Sequence, residues 1–207
     1  MQILDFQTSK KLLLKYKIPF LETEIFRSEK KAREFAKKLK FPVVLKVFSS
    51  KIFHRTDIGG IKIGIKNEKE FEKTFSKLSK IPKAEGVLVQ KMGWGLEIGL
   101  GMKKDPVFGP VLMFGLGGIF IETLKDVSFR ICPFSKKTAR EMIKEIKGYP
   151  ILKGQRGQKA VNIEELVKII LRLSKLSLKE KEIKEIDFNP IFINEKTAKA
   201  ADFKFFT

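Results

Sequence analysis

Short runs of β-branched and aromatic residues alternate along the chain with segments in which apolar residues recur every three or four positions. The first pattern is typical of strands and the second of amphipathic helices, so the sequence predicts a mixed α/β (α+β) fold. The predicted helices cover 8–16, 28–39, 68–80, 136–147 and 163–178. The predicted strands cover 41–47, 61–65, 86–90, 96–102, 107–114, 119–124, 127–132, 186–193 and 198–205.

Polar residues at the ends of these segments support the assignment. Ser135 can cap helix 136–147, and Asn162 followed by Glu165 forms a capping-box pattern before helix 163–178. Three glycines within 115–118 join two predicted strands. They are compatible with a tight hairpin or with a loop that passes close to a ligand, and the sequence leaves both interpretations open.

Composition excludes several classes of protein. The chain has 207 residues, of which 43% are hydrophobic, with one Cys and one His. One thiol cannot form an intrachain disulfide, and one Cys with one His cannot complete a structural zinc site. A thiol dyad of Cys132 with His54 is disfavoured because Cys132 lies in an apolar strand pattern. We see no secretory signal and no apolar stretch of membrane-spanning length, so we expect a cytoplasmic protein with no membrane partner.

The formal net charge of +19 makes nucleic acid the first partner to consider, since clustered Lys and Arg bind phosphates. The basic residues are instead spread among Glu along the whole chain, without a basic tail. That distribution is typical of solvated helix surfaces. We therefore expect no nucleic-acid partner, and a basic nucleic-acid-binding protein is the least favoured alternative.

A basic, glycine-containing loop follows the predicted strand 41–47. It begins after Lys46 and continues to Gly59 and Gly60. Backbone N–H groups, glycines and a Lys together suit a bound phosphate, although the spacing matches no common phosphate-binding fingerprint. His54 in this loop is either a structural residue or a nucleophile toward phosphorus, and the pattern alone favours neither.

Oxygen ligands converge in the predicted C-terminal hairpin. Asp187 and Asn189 are two residues apart on one strand and therefore share a face. A turn centred between Glu195 and Lys196 places Asp202 opposite Asn189. Such hard ligands suit Mg²⁺, whereas the alternative is an exposed polar strand face.

Five stretches occur in an order that resembles a known family. They are HRTDIGG at 54–60, KKDPVFGP at 103–110, FGLGGIF at 114–120, LKDVSFR at 124–130 and IDFNP at 186–190. The series resembles the β subunit of ADP-forming acetyl-CoA (acyl-CoA) synthetases, an ATP-grasp protein related to the succinyl-CoA synthetase β subunit. The resemblance covers residues 8–205.

The resemblance implies a single ATP-grasp domain over residues 1–207, with two lobes that clasp ADP or ATP. It implies a ligase that converts acyl-CoA, ADP and phosphate reversibly into the free acid, CoA and ATP through a phosphohistidine relay. The chain contains no CoA-binding domain, so a CoA-binding α subunit is the expected partner, in an α2β2 heterotetramer.

The resemblance also assigns residue roles. His54 occupies the place of the catalytic relay histidine, and Mg²⁺ is the implied cofactor, held by Asp187, Asn189 and Asp202. The implied nucleotide-binding residues are Lys46, Thr56, Asp57, Gly59, Gly60, Gln90, Lys91, Met92, Glu97 and Arg130. Arg55 stands where the family usually has Lys, and Lys91 where Glu is frequent. A non-catalytic ATP-grasp module is the alternative, and the presence of Lys46, His54, Asn189 and Asp202 argues against it.

Overall fold

The computed structural model describes residues 1–52, 55–155, 157 and 159–207, and this part of the chain has the predicted mixed α/β fold. The helices are α1 (Phe6–Lys15), α2 (Glu29–Leu39), α3 (Glu68–Ser79), α4 (Ile119–Leu124), α5 (Lys136–Glu145), α6 (Tyr149–Leu152) and α7 (Ile163–Lys179). The strands are β1 (Thr23–Phe26), β2 (Val43–Phe48), β3 (Ile61–Ile65), β4 (Gly86–Lys91), β5 (Leu96–Asp105), β6 (Gly109–Leu116), β7 (Val127–Ile131), β8 (Glu185–Ile193), β9 (Ala198–Ala200) and β10 (Lys204–Phe206). Across these ranges, no helix has both the length and the apolar character required to traverse a lipid bilayer.

Internal contacts divide the chain into two compact units. The smaller unit is Leu21–Met92, and the larger unit combines Met1–Phe20 with Gly93–Thr207. In the smaller unit an antiparallel sheet has the order β1-β4-β2-β3. Its core lies between the sheet and helices α2 and α3, where Leu45 packs in one cluster with Phe71 and Phe75.

The larger unit is built on a second antiparallel sheet in the order β10-β8-β5-β6-β7, with β9 also paired to β8. Alternate residues of its strands, including Leu100, Phe114 and Phe188, are buried in a cluster that contains the apolar residues of α5 and α7. We call the sheet face turned away from α5 and α7 the second face. It carries the candidate acidic residues described below.

Helix caps were predictable because they depend on local hydrogen bonds. Ser135 Oγ accepts a hydrogen bond from the Thr138 N–H at 3.1 Å, and Asn162 Oδ1 accepts one from the Glu165 N–H at 3.2 Å. Both predicted caps are therefore confirmed. Every predicted helix is present, whereas strand β1 and the short helix α6 were not predicted.

One predicted strand is wrong, because residues 119–124 form helix α4. Gly99 and Gly115 are cross-strand partners in β5 and β6, and they leave a space without side chains on the second face. Ile121 of α4 fills it: a Cβ added to Gly99 would lie 2.3 Å from Ile121 Cδ1. The hairpin interpretation of the glycines in 115–118 is also wrong, since they connect β6 to α4.

Candidate functional site

The smaller unit buries polar side chains on the sheet face that turns away from α2 and α3. Leu45 points toward these helices, so the neighbouring Val44 and Lys46 point to the other face. Lys46 is 7% exposed, and Gln90, the cross-strand partner of Val44, is 2% exposed. Buried lysines are rare in proteins. An ammonium group and an amide are thus gathered on one face of this sheet.

The predicted nucleotide-binding segment 90–92 lies where the chain leaves the smaller unit. Its last residue there is Met92. The Lys91 N–H donates a hydrogen bond to the Glu22 carbonyl at 2.9 Å, while the Lys91 side chain is exposed. The backbone at the end of β4 is therefore fixed by hydrogen bonding within its own unit.

Two glycines shape the loop before β3. Gly59 has φ +64°, and the Gly60 N–H donates to the Arg55 carbonyl at 2.7 Å. A Cβ on Gly60 would lie 2.6 Å from Val47 Cγ1. The fold thus requires both glycines without any ligand. Gly59 adopts a left-handed backbone conformation, and Gly60 allows a close approach to β2.

Thr56 and Asp57 are exposed in the turn that these glycines close. The Gly59 N–H donates to the Thr56 carbonyl at 3.0 Å. His54, the predicted relay histidine, lies outside the described residues.

Replacing each glycine by Ala separates these two structural reasons. We expect Gly60→Ala to lower the free energy of unfolding by about 2 kcal/mol, because its Cβ meets side-chain and backbone atoms. Gly59→Ala has open space around its Cβ and should cost only about 1 kcal/mol for the positive φ. Urea denaturation of both variants measures the difference. Unchanged stability together with a loss of ADP affinity would instead assign the glycines to ligand contact.

On the second face of the larger unit, Asp187 and Asn189 lie on β8. Ile186 and Phe188 are buried in the core, so Asp187 and Asn189 point to the second face, as predicted. A β-bulge follows, because the β5 register shifts between Ile98 and Leu100. The bulge comprises 189–190, which leaves Asn189 exposed at a local distortion of the strand.

Several charged groups surround the Asp187 carboxyl. Burial raises the pKa of this group above its usual range; the Lys204 ammonium opposes that rise, whereas the Asp202 and Glu185 carboxylates add to it. Lys204 is the cross-strand partner of Asp187. Glu185 and Lys204 were not predicted as neighbours of this site, although the same hairpin register places Lys204 opposite Asp187.

Asp202 lies in a break of the predicted last strand. Residues 201–203 separate β9 from β10, and Asp202 Oδ1 accepts a hydrogen bond from the Phe203 N–H at 3.1 Å. The predicted hairpin register holds on both sides of the break, with the pairs Ile191–Ala200 and Asp187–Lys204. The break interrupts the strand without changing the register.

The donor set in the larger unit suits a divalent cation. Within the described ranges, no three His, Cys, Asp or Glu residues form a metal-binding group by themselves. Asp187 and Asp202 offer carboxylates that repel each other, and Asn189 offers an amide oxygen. A hard cation such as Mg²⁺ would offset this repulsion, so the residues present fit the ion.

The raised pKa of Asp187 predicts how the metal-free protein responds to pH. Above the ordinary Asp pKa of 3.8 the unfolded chain releases this proton while the folded chain retains it, so stability falls as pH rises toward the folded pKa. Asp187→Asn has no proton to release and should gain stability relative to the wild type across that range. Urea denaturation in EDTA from about pH 4 to about pH 7 measures the difference. A difference that stays constant with pH would contradict the prediction.

Glu97 is exposed on β5 and lies beside the glycine segment that precedes α4. The Gly117 N–H donates to the Glu97 carbonyl at 2.6 Å, and a Cβ on Gly117 would lie 3.0 Å from the Glu97 carbonyl carbon. Because Ile98 is buried in the core, Glu97 points to the second face. Glu97 and Asp187 are therefore on the same face of one sheet.

Arg130 does not join them. It is paired with the buried Leu112, so it points toward α5 instead of the second face. Its Nη1 donates to Glu145 Oε2 at 2.8 Å and to the Phe129 carbonyl at 2.7 Å. The hydrogen bond from Arg130 lowers the pKa of Glu145. The two residues form an ion pair that fixes β7 to α5. This placement does not support the phosphate contact predicted for Arg130.

Cys132 directly follows the edge strand β7 and is buried. Burial raises the pKa of its thiol, which a hydrogen bond to Ser174 opposes. A protonated, buried thiol is a poor nucleophile, which agrees with the expectation that Cys132 forms no thiol dyad.

Comparisons with known proteins identify the family. The ATP-grasp domain model matches residues 1–206. The β subunit of ADP-forming acetate–CoA ligase I from Pyrococcus furiosus is 48% identical over 202 residues, which cover 94% of this chain and 87% of that protein. ADP-forming acetate–CoA ligase I of Archaeoglobus fulgidus is 45% identical over 87% of this chain, which covers only 27% of that longer protein.

A solved structure agrees with these matches. The dinucleotide forming acetyl-coenzyme A synthetase 1 of Ca. Korarchaeum cryptofilum, in complex with coenzyme A, Ca-AMPCP and HgCl⁺, has a TM-score of 0.93 and 37% identity, covering 99% of this chain and 93% of that one. Another crystal of that protein, with coenzyme A and Mg-AMPPCP, has a phosphohistidine segment pointing towards its nucleotide binding site and a TM-score of 0.88. The predicted resemblance is confirmed: the chain belongs to the ATP-grasp domain family, in the group that contains the β subunits of ADP-forming acetate–CoA ligases.

Proposed function

We propose that this chain is the nucleotide-binding subunit of an ADP-forming acetate–CoA (acyl-CoA) ligase. The overall reaction is acyl-CoA plus ADP and phosphate going reversibly to the free acid, CoA and ATP. The observation that carries this proposal is the identity of 48% to a β subunit of that activity over nearly its whole length. In this proposal residues 1–207 form one ATP-grasp domain.

Nucleotide binding is assigned to the residues that match the motifs of the family. Lys46 neutralises phosphate oxygens; it places a positive charge on the sheet face that also carries Gln90. The backbone of 90–92 holds the adenine, and Glu97 accepts hydrogen bonds from the nucleotide. In the loop before β3, the segment 56–60 contributes Thr56, Asp57, Gly59 and Gly60 to phosphate binding. Arg130 is omitted because it faces α5.

Asp187, Asn189 and Asp202 would hold Mg²⁺ through oxygen atoms. The clustering of Asp187 with Asp202 supports this assignment. When bound, Mg²⁺ supplies positive charge that disperses the negative charge of the phosphate oxygens. The side chains of this hairpin would orient those oxygens through the bound ion.

His54 is the proposed relay residue. A neutral imidazole nitrogen attacks the phosphorus of a phosphohistidine on the partner, and the nitrogen–phosphorus bond to the partner breaks. An oxygen of the ADP β-phosphate then attacks the phosphoryl group on His54, which releases the free imidazole and forms ATP. The phosphohistidine segment that points towards the nucleotide binding site of the Korarchaeum relative supports a phosphohistidine intermediate in this proposal.

A CoA-binding α subunit is the proposed partner, in an α2β2 assembly. The name of the Pyrococcus furiosus relative supports a separate partner, since that protein is a subunit. The Archaeoglobus fulgidus relative is much longer than the segment that matches this chain, so that protein carries further sequence in the same chain. A non-catalytic nucleotide-binding module would bind ADP without supporting ATP formation, and a nucleic-acid-binding protein has no support from these relatives.

Removing oxygen ligands from the hairpin tests nucleotide and metal binding by the isolated chain. We expect Asp202→Ala and Asn189→Ala each to weaken the Mg²⁺-dependent affinity for ADP by at least about tenfold. Isothermal titration with ADP at increasing Mg²⁺ concentrations measures the effect. Glu195→Ala is the matched control, because Glu195 is exposed in the turn of the same hairpin. Unchanged affinity in both test variants would mean that the hairpin holds no metal.

A further inference from the structure

Four large apolar side chains are exposed at one edge of the larger unit. Val107 is 81% exposed, Phe108 59%, Phe129 55% and Ile131 49%. We call this group the apolar strip. Exposed apolar groups of this size commonly mark interaction surfaces.

Two members of the strip lie on the edge strand β7. Phe129 is paired with Met113, and Ile131 is paired with Val111, so these four apolar side chains are neighbours on the second face. The opposite side of β7 is occupied, since Ser128 Oγ donates to the Met142 carbonyl of α5 at 2.7 Å. The strand is thus covered on the α5 side and exposed on the other.

The other two members lie at the tip of the β5–β6 hairpin. Asp105 Oδ1 accepts hydrogen bonds from the N–H groups of Val107 at 2.8 Å and Phe108 at 2.9 Å. The Cys132 N–H donates to the Pro110 carbonyl at 2.8 Å, which joins the base of the tip to the end of β7. These hydrogen bonds fix the backbone of the exposed pair close to the end of β7.

Phe129 and Ile131 of the strip lie on the same sheet face as the candidate metal ligands. The cross-strand row that begins at Phe129 continues through Met113 and Gly101 to Asp187. Three strand spacings of about 4.8 Å place Phe129 about 14 Å from Asp187 at backbone level. A protein bound on the strip would therefore lie on the same sheet as the proposed Mg²⁺ ligands, in the row of residues that ends at Asp187.

We infer that the apolar strip is the docking surface for the CoA-binding subunit. The matching surface of that subunit has an apolar centre and an acidic rim. This inference rests on the proposed function, which requires a second subunit to reach the phosphoryl-transfer site. The positive charge of the chain, +19, favours an acidic partner, and the exposed Lys103 lies on the strand that leads to the tip.

The same observations disfavour a second copy of this chain as the occupant. Two chains of charge +19 repel each other. Strand addition along β7 is hindered because Arg130 Nη1 already donates to the Phe129 carbonyl. The side chains of the strip, rather than the strand backbone, provide the contact, as aromatic and aliphatic anchors do at the centre of interfaces.

The test measures binding of the purified chain to the CoA-binding subunit of the same organism. The double variant Phe129→Ser/Ile131→Ser should weaken this binding by at least about 100-fold, and Phe108→Ser by about tenfold. Ile63→Ser is the matched control, because Ile63 is 61% exposed on the edge strand β3 of the smaller unit. It should change the affinity by less than about twofold. Phe108→Ser lies at the tip, so it tests the strip even if the double variant does not fold.

The outcomes separate this inference from the proposed function. Wild-type affinity for the CoA-binding subunit in folded strip variants would overturn the inference, as would a homodimer of the wild-type chain that the strip variants dissociate. Mg²⁺-dependent ADP binding should be unchanged in every variant. An isolated wild-type chain that binds no ADP would contradict the proposed function itself.

Discussion

Replacing His54 by Asn is expected to lower ATP formation by the complex of this chain and its CoA-binding subunit by at least about 10³-fold. His54 is the only histidine of the sequence and follows Lys46 in its basic, glycine-containing segment. Asn retains a polar side chain of similar reach but cannot form a phosphoryl-nitrogen bond as imidazole does. The variant removes the relay without removing the groups that bind nucleotide.

The affinity of His54→Asn for ADP and its association with the CoA-binding subunit serve as internal controls, and both should match the wild type. Incubation of the wild-type chain with ATP labelled in the γ-phosphate should give an acid-labile, alkali-stable label, and the variant should give none. ATP formation by the variant at a rate comparable with the wild type would refute the relay, and the loop would then only hold phosphates.

Lys46→Met is expected to weaken ADP and ATP binding by about 30- to 150-fold, because it removes a charge-assisted hydrogen bond worth about 2–3 kcal/mol. Met has a similar length and fills the same buried space without a charge. If Lys46 contributes mainly to stability, the loss will instead appear in the free energy of unfolding. Titration with Mg-ADP and urea denaturation of one preparation distinguish the two effects.

The control for this substitution is Lys62→Met. Lys62 is exposed on the neighbouring strand β3, where a lysine is solvated and a change to Met removes only surface charge. Its ADP affinity should remain within about twofold of the wild type. Equal losses in both variants would indicate that overall charge, rather than the buried ammonium of Lys46, governs binding.

Local patterns predicted most of the fold, and a long-range contact explains the main error. The helix starts at Ser135 and Asn162 follow from hydrogen bonds within one turn, so the sequence contains the full signal. Residues 119–124 have the apolar, β-branched composition of a strand but form α4, because Gly99 and Gly115 on two different strands provide a space for Ile121. The residues of 119–124 themselves contain no signal for that space, because the two glycines lie elsewhere in the sequence.

The candidate site was predictable to the extent that it depends on register. The hairpin rule placed Asp187, Asn189 and Asp202 together, and the observed strand pairs follow that rule. The position of Arg130 was not predictable from its motif, since the face it occupies depends on the alternation of β7 and on Glu145 of a separate helix. The burial of Lys46 likewise depends on packing around the whole sheet.

The most direct test of the account is the formation of ATP from acetyl-CoA, ADP and phosphate in the presence of Mg²⁺. The reaction is measured with this chain alone, with the CoA-binding subunit alone and with both together. The proposed function predicts ATP only in the mixture, although the isolated chain binds ADP. Robust ATP formation by this chain alone, or none in a mixture in which the two subunits associate, would contradict it.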